Sequence, residues 1–276
     1  MLIIFSDLDG TLLDFATYDW TPAATAVAEV IRRGIPLVLC SSKTRAEQNF
    51  YRAELGIPDP FIVENGSAIF IPRRAFNFAF AYQRQIDGYL VIELGQPAEK
   101  IRAALQAIRQ RTGLSFRGFS DLSLDEVSAV TGLAAAAAQR ACAREYSETI
   151  VTPLSAAALA TLQTELAADD LTLVSGGKFH TVTSQHSDKG TAVALLTNLY
   201  RQKYAHVTTL GLGDSANDRP LLAAVDEAYL LQKPDGRWQD VGDLAVERVT
   251  AVGPDGWRQA VLGRLAAETQ NGGQMA

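Results

Sequence analysis

Branched and aromatic apolar residues run without a polar break through Leu2-Ile3-Ile4-Phe5 and stop at Asp7-Leu8-Asp9-Gly10-Thr11. Such a run predicts a strand buried on both faces, as in a parallel sheet, with its carboxyl end where open α/β sheets place ligands. Neighbouring strand residues point to opposite faces, so Asp7 and Asp9 are expected to point the same way, away from Leu8. A helix is predicted near 22–33, with Thr21 as its N-cap, Pro22 in its first turn and Gly34 beyond its end. Strand 35–40 then leads to a helix near 44–55, stopped by Gly56 and Pro58. Phe61-Ile62-Val63 and Ala68-Ile69-Phe70-Ile71 flank Glu64-Asn65-Gly66-Ser67, and Asn-Gly is a strong short-range hairpin signal. The strand–helix alternation up to that hairpin implies a parallel sheet with right-handed crossovers.

From about 78 to 184 the texture changes. A polar helical pattern covers Pro97 to Thr112, and an alanine-rich helix is predicted over 134–143. Glu148-Thr149-Ile150-Val151, Leu171-Thr172-Leu173-Val174 and Phe179-His180-Thr181-Val182-Thr183 read as short strands. After 187 the strand–helix alternation resumes, so the first layer is discontinuous in sequence. The polar tail from Glu268 to Ala276 is expected to fray.

A chain of 276 residues allows one large domain or two modest ones, and 47% hydrophobic with 20% charged residues is ample for a core. A net charge of −6 leaves no electrostatic footprint for nucleic acid, and no basic run marks an anionic membrane surface. No apolar segment approaches the ~20 residues that span a bilayer, and the apolar start, cut by Asp7, is not a signal peptide. Cys40 and Cys142 offer no disulfide framework, which fits a reducing cytoplasm.

The candidate chemistry begins with the Asp7/Asp9 pair. Two adjacent carboxylates repel, which favours a cation between them or a proton on one. A second strand, Val207 to Leu212, ends in Gly213-Asp214-Ser215-Ala216-Asn217-Asp218, another acidic turn. Ser41-Ser42-Lys43-Thr44 forms a hydroxyl-rich helix start suited to an anion, and Lys189 opens a further helix. Three acids, a hydroxyl and a lysine at strand ends and helix starts describe a magnesium-dependent phosphate site.

These residues resemble, in order, the four motifs of haloacid-dehalogenase-superfamily phosphatases: Asp7-Leu8-Asp9-Gly10-Thr11, Ser41, Lys189 and Gly213-Asp214 through Asp218. Shorter motifs resemble the mannosyl-3-phosphoglycerate phosphatases: Ser41-Ser42-Lys43-Thr44, Glu64-Asn65-Gly66, Arg144-Glu145-Tyr146-Ser147-Glu148 and Gly176-Gly177-Lys178-Phe179-His180. The resemblance implies a Rossmann-like α/β core over 1–77 and 185–276, a parallel sheet with helices on both faces. An α+β cap inserted at 78–184 would govern substrate choice. It also implies Asp7 as nucleophile and Asp9 as acid and then base, which requires Asp9 to carry the proton first. Mg2+ would be held by Asp7, the Asp9 carbonyl and Asp214, with Asp218 in support. Ser41 and Lys189 would hold and neutralise the phosphoryl group.

For the substrate, Arg144 and Lys178 can pair with a carboxylate such as that of a glycerate. Tyr146, Ser147, Glu148 and His180 offer partners for sugar hydroxyls, and Gly176-Gly177 would let backbone approach a ligand. Ser42, Lys43, Thr44, Asn65 and Gly66 would line the entrance, and Asn217 would orient Lys189 or a phosphate. Thr149 departs from the family, which commonly has proline there. The resemblance therefore points to a phosphorylated-sugar substrate, mannosyl- or glucosyl-3-phosphoglycerate. The alternatives are another sugar phosphate, such as sucrose or trehalose phosphate, and a phosphoacceptor switch or binding module. Against the switch stand the insert of ~100 residues, longer than an ordinary connection, and the acid/base position Asp9.

Overall fold

A computed structural model describes residues 1–176 and 179–272. The chain runs β1 (Leu2–Ser6), α1 (Ala24–Arg32), β2 (Leu37–Leu39), α2 (Arg45–Leu55), β3 (Phe61–Val63), β4 (Ala68–Pro72), β5 (Arg84–Ile86) and β6 (Tyr89–Glu93). It continues through α3 (Ala98–Thr112), α4 (Leu124–Thr131), α5 (Ala135–Cys142), β7 (Glu148–Ile150), α6 (Ala156–Ala167), β8 (Leu171–Gly176) and β9 (Phe179–Ser184). The last part is α7 (Lys189–Lys203), β10 (Thr208–Gly213), α8 (Arg219–Ala223), β11 (Glu227–Gln232), β12 (Glu247–Val252) and α9 (Gly253–Gly272). Two compact units result, residues 1–41 with 193–276, and residues 42–192.

The first unit is built on a parallel five-stranded sheet in the order β12-β11-β10-β1-β2. Every residue of β1 is buried, as its unbroken apolar run requires. Ser6 pairs with Leu212 of β10 on one side and Leu39 of β2 on the other, so three strand carboxyl ends lie together. Helix α9 packs against α1 and buries Trp257, Ala260, Val261 and Leu265, a helical stripe at i, i+3, i+4 and i+8. The predicted N-cap Thr21 is not one. It lies in a 3-10 turn, Thr21–Ala23, and its N–H and hydroxyl both donate to Asp19 Oδ1 at 2.9 and 2.5 Å. The carboxylate two residues earlier is the better acceptor and starts the turn first. Helix α9 also continues to Gly272, past the expected fraying point at Glu268.

The second unit holds two antiparallel sheets, β3-β4-β6-β5 and β7-β9-β8. The hairpin expected at Asn65-Gly66 is present: β3 turns through Glu64–Gly66 and pairs antiparallel with β4, Val63 against Ala68. The parallel sheet, expected to run up to this hairpin, does not include β3, which joins the antiparallel sheet instead. Helix α2 begins with a full capping box: Thr44 accepts from Glu47 N at 3.1 Å and its own N–H donates to Glu47 at 2.9 Å. Gly56 closes it in the left-handed conformation. On the other sheet, α3 and α6 pack Ile101, Leu105, Ile108, Leu162 and Leu166 against Ile150, Leu171 and Val182. The stretches 124–131 and 156–167, for which the sequence predicts no element, form α4 and α6, each started by a serine cap. The parallel α/β layer and the separate α+β sheets match the expected fold class.

Candidate active site

In the first unit the two acidic turns meet because β1 and β10 are neighbours in register. Strand β1 ends at Ser6, so the alternation expected for Asp7, Leu8 and Asp9 does not carry through them. The chain instead closes a tight loop in which Thr11 N and Leu13 N both donate to the Leu8 carbonyl. Asp7 is buried, and its N–H donates to the Leu212 carbonyl of β10 at 3.0 Å. Behind it, Trp257 Nε1 donates to Ser6 Oγ at 2.9 Å, and that hydroxyl donates to the Asp7 carbonyl at 2.7 Å. The backbone that carries Asp7 is thus held from the core side by a wholly buried indole.

Two glycines let the acidic turns close up. At Gly10, with φ of 79°, a Cβ would fall 2.7 Å from Asp214 Oδ2. At Gly213 a Cβ would fall 2.4 Å from Asp218 Cβ. Thr11 Oγ1 donates to Asp214 Oδ1 at 3.3 Å. Asp218 Oδ2 accepts from Asp214 N, Ser215 N and Ser215 Oγ at 3.1, 3.0 and 3.0 Å, which fixes its carboxylate. Ser215 Oγ also reaches Asn217 Oδ1 at 2.5 Å. Asp7, Asp214 and Asp218, all buried, each bring one carboxylate oxygen within 4.8 Å of the others. At 4.8 Å and an effective dielectric of ~20, each ionised pair repels by roughly 3 kcal/mol. Hard oxygen donors so gathered fit a divalent cation such as Mg2+. The Asp9 side chain is not in this trio; the sequence-based expectation gave Mg2+ only its carbonyl. Ser41 is wholly buried just beyond β2, where Cys40 N donates to the Ser6 carbonyl at 2.8 Å.

In the second unit, Lys189 is the first residue of α7 and almost completely buried. At Gly66, with φ of 96°, a Cβ would fall 2.0 Å from the Asp188 carbonyl oxygen, so the Glu64–Gly66 turn lies against the start of α7. Asn65 in that turn is buried with φ of 59°. Lys43, also buried, lies 3.7 Å from Glu47 and over the Tyr51 ring. Thr44 donates its hydroxyl to the Arg140 carbonyl at 2.7 Å in addition to capping α2. Arg144 Nη1 donates to Ser147 Oγ at 2.9 Å and to the Ser42 carbonyl at 3.4 Å, while its buried Nε has no hydrogen-bond partner among the described residues. Glu148 is buried and ion-paired with Arg102 at 2.7 Å, and it also accepts from Ser120 N. His180 Nδ1 lies 2.9 Å from Ser175 Oγ. Tyr146 donates to Glu93 at 2.6 Å and accepts from Arg84 at 2.7 Å; burial, then Glu93, push its hydroxyl far above the usual tyrosine range. Gly177 and Lys178 lie outside the described residues. The structure therefore gathers Ser42, Arg144 and Ser147 into one hydrogen-bonded group, and sets Asn65 and Gly66 beside the helix start that bears Lys189.

Two residues of the sequence motifs, Thr11 and Glu64, carry roles that the sequence does not assign. Thr11 supports Asp214, and Glu64 lies at the centre of the Arg144–Ser147 segment. A signal for Glu64 existed: like Asp7, it is a carboxylate directly after an apolar strand.

A family model of haloacid dehalogenase-like hydrolases matches residues 4–235. Over 261 residues, the chain is 41% identical to the glucosyl-3-phosphoglycerate/mannosyl-3-phosphoglycerate phosphatase of Methanococcoides burtonii, covering 94% of this chain and 96% of that protein. It is 39% identical to the mannosyl-3-phosphoglycerate phosphatase of Pyrococcus furiosus, over 83% of this chain and 90% of the relative. A solved Thermoplasma acidophilum structure superposes with a TM-score of 0.69 at 17% identity, covering 95% of this chain and 97% of that one, which shows the shared fold. By the family match and these relatives, the chain belongs to the haloacid dehalogenase-like hydrolases.

Proposed function

We propose that the protein is a Mg2+-dependent phosphatase that hydrolyses glucosyl-3-phosphoglycerate, mannosyl-3-phosphoglycerate or both. The observation that carries the substrate is the 41% identity, sustained over 94% of the chain, to a relative named for that activity. The buried carboxylate trio supports the metal.

Phosphate monoesters resist hydrolysis because an anionic nucleophile must approach an anionic phosphoryl group; a covalent intermediate divides that barrier. Asp7 attacks phosphorus, forming an Asp7–phosphorus bond as the ester P–O bond breaks. Asp9 gives its proton to the departing oxygen. In the second half, Asp9 takes a proton from water, the water oxygen bonds to phosphorus, and the bond to Asp7 breaks to release phosphate. Asp7, the Asp9 carbonyl, Asp214 and Asp218 are the groups that would hold Mg2+, which supplies positive charge against the phosphoryl oxygens when bound. Ser41 hydrogen-bonds those oxygens, and Lys189 neutralises them.

For the glycerate carboxylate we assign Arg144. Its Nη1 is committed to Ser147 and Ser42, whereas its buried Nε lacks an acceptor among the described residues, the partner a carboxylate supplies. Residues 78–184 would form the substrate-selecting cap and 1–77 with 185–276 the catalytic core. Ser42, Lys43, Thr44, Asn65, Gly66, Ser147, Glu148, Gly177, Lys178, His180 and Asn217 belong to substrate recognition in this reading. Among the described residues no helix is long and apolar enough to cross a membrane. The two cysteines of the sequence, Cys40 and Cys142, suit a reducing cytoplasmic setting.

The test is phosphate release with Mg2+ from both phosphoglycerate esters, beside trehalose 6-phosphate, sucrose 6-phosphate and p-nitrophenyl phosphate, with Asp7→Asn as the blank. A strong preference for either phosphoglycerate ester is the expected result. Comparable rates on all would remove the substrate assignment. No release above the blank would remove the phosphatase.

A further inference from the structure

We infer that Glu64 is the positioning residue of the substrate-recognising segment 144–147, an inference that rests on the proposed function. Glu64 is wholly buried, directly after β3, with φ of 48°. A buried carboxylate is costly unless donors and positive charge surround it. Here they come from one short stretch of chain. Oε1 accepts from Glu145 N at 2.8 Å, and Oε2 accepts from Tyr146 N at 3.1 Å and from Ser147 Oγ. Consecutive donors closing on a single anion make the kind of backbone nest that binds an external anion elsewhere. In this protein the chain supplies the anion itself.

The consequence reaches Arg144. Residues 143–147 carry no helix or strand of their own, so side chains must fix them. Arg144 Nη1 donates to Ser147 Oγ, whose own proton goes to Glu64. The guanidinium is therefore oriented through one hydroxyl by a carboxylate 80 residues away in sequence. Arg144 also lowers the Glu64 pKa electrostatically, although burial dominates and raises it. The turn that begins with Glu64 lies at Gly66 against the Asp188 carbonyl, beside Lys189. One turn thus fixes both the recognition segment and the helix start that bears Lys189. Glu64 touches neither substrate nor metal in this assignment; it acts through Arg144 and Ser147.

The test compares Glu64→Gln, Glu64→Ala and Ser147→Ala with wild type on the preferred phosphoglycerate ester and on p-nitrophenyl phosphate, which has no carboxylate. Glutamine keeps the shape of glutamate, but its amide nitrogen donates toward groups that also donate. Losing hydrogen bonds to a charged group predicts a KM for the ester raised about ten-fold or more in Glu64→Gln. The selectivity ratio of kcat/KM, ester over p-nitrophenyl phosphate, should fall by a similar factor. Ser147→Ala should move the same ratio less. The Glu64→Gln/Ser147→Ala double variant should be no worse than Glu64→Gln alone, because both changes break one relay. An unchanged selectivity ratio in folded Glu64→Gln, or additive effects in the double variant, would overturn the inference. If the Glu64 variants do not fold, Ser147→Ala decides: a ratio equal to wild type overturns it. A wild type with no preference for the ester overturns the proposed function together with the inference. A wild-type preference that survives in the variants overturns the inference alone.

Discussion

Adding one methyl group at Gly66 should disturb both stability and turnover, and the structure fixes the scale. The substituted Cβ would lie 2.0 Å from the Asp188 carbonyl oxygen, 2.2 Å from its carbon and 2.6 Å from Lys189 N. All three are backbone atoms, so no flexible side chain can swing aside. The φ of 96° adds strain that a Cβ-bearing residue resists, about 1–2 kcal/mol. Overpacking against a fixed neighbour adds about 1–3 kcal/mol. Gly66→Ala should therefore cost about 2–5 kcal/mol, a large share of the ~5–15 kcal/mol that holds a folded protein together. Thermal unfolding should show a midpoint lowered by about 5–15 °C. Relief by separation would move the first turn of α7, and with it Lys189, so kcat should fall by about ten-fold or more even well below the midpoint. Gly113→Ala is the control: it also has positive φ, but no atom lies within 4 Å of its added Cβ. A Gly66→Ala protein that melts with the Gly113→Ala protein and keeps wild-type kcat would refute the close approach as the cause.

The remaining predictions concern the acid trio, the core and one surface charge. Without metal, Asp214→Asn should raise the melting midpoint, because it removes repulsion among three buried carboxylates; the same variant should lose the Mg2+-dependent rise that mass action gives the wild type. Midpoints measured with EDTA and with Mg2+ check both halves. Asp218→Asn should raise the half-saturating Mg2+ concentration by about ten-fold, with a smaller loss in kcat at saturating metal; a Mg2+ titration of the rate reads it. Trp257→Phe should destabilise by about 1–3 kcal/mol, from the lost bond to Ser6 and the gap left in a fully buried site, as urea unfolding would measure. Arg32 and Arg33 hold the partly exposed Glu29 carboxyl down at about 2. A depressed folded pKa gives stability that is present above the ordinary glutamate range and lost as pH falls toward about 2. The small midpoint difference between wild type and Glu29→Gln should therefore shrink across that window.

Where the chemistry of a residue and its position along the chain coincide, the sequence is a good guide. Asp7, Asp214 and Lys189 each follow or open an element that short-range pattern announces, and each stands where that pattern puts it. The Thr44 capping box is equally local. The Asn65-Gly66 hairpin is local too: positive φ values at Glu64, Asn65 and Gly66 turn the chain back onto β4. Which sheet β3 joins is not local, because three apolar residues serve a parallel or an antiparallel strand equally well. Helix α4 was within reach, since Ser123 and Glu126 form a capping box three residues apart. The role of Glu64 was not, because its three donors lie 81, 82 and 83 residues onward. Thr11 and Asp214 are likewise 203 residues apart, and only the pairing of β1 with β10 joins them.

That last separation bears on how the protein comes into being. The strand carrying Asp7 is made before the whole intervening unit, and the carboxylates that complete its trio only after it. A nascent chain that ends before β10 holds Asp7 without the acidic turn that completes the carboxylate trio. Closing so long a loop is slow and entropically opposed, and it is rewarded only when β10 docks against β1. A cation bound by the completed trio would stabilise the finished chain over its precursors.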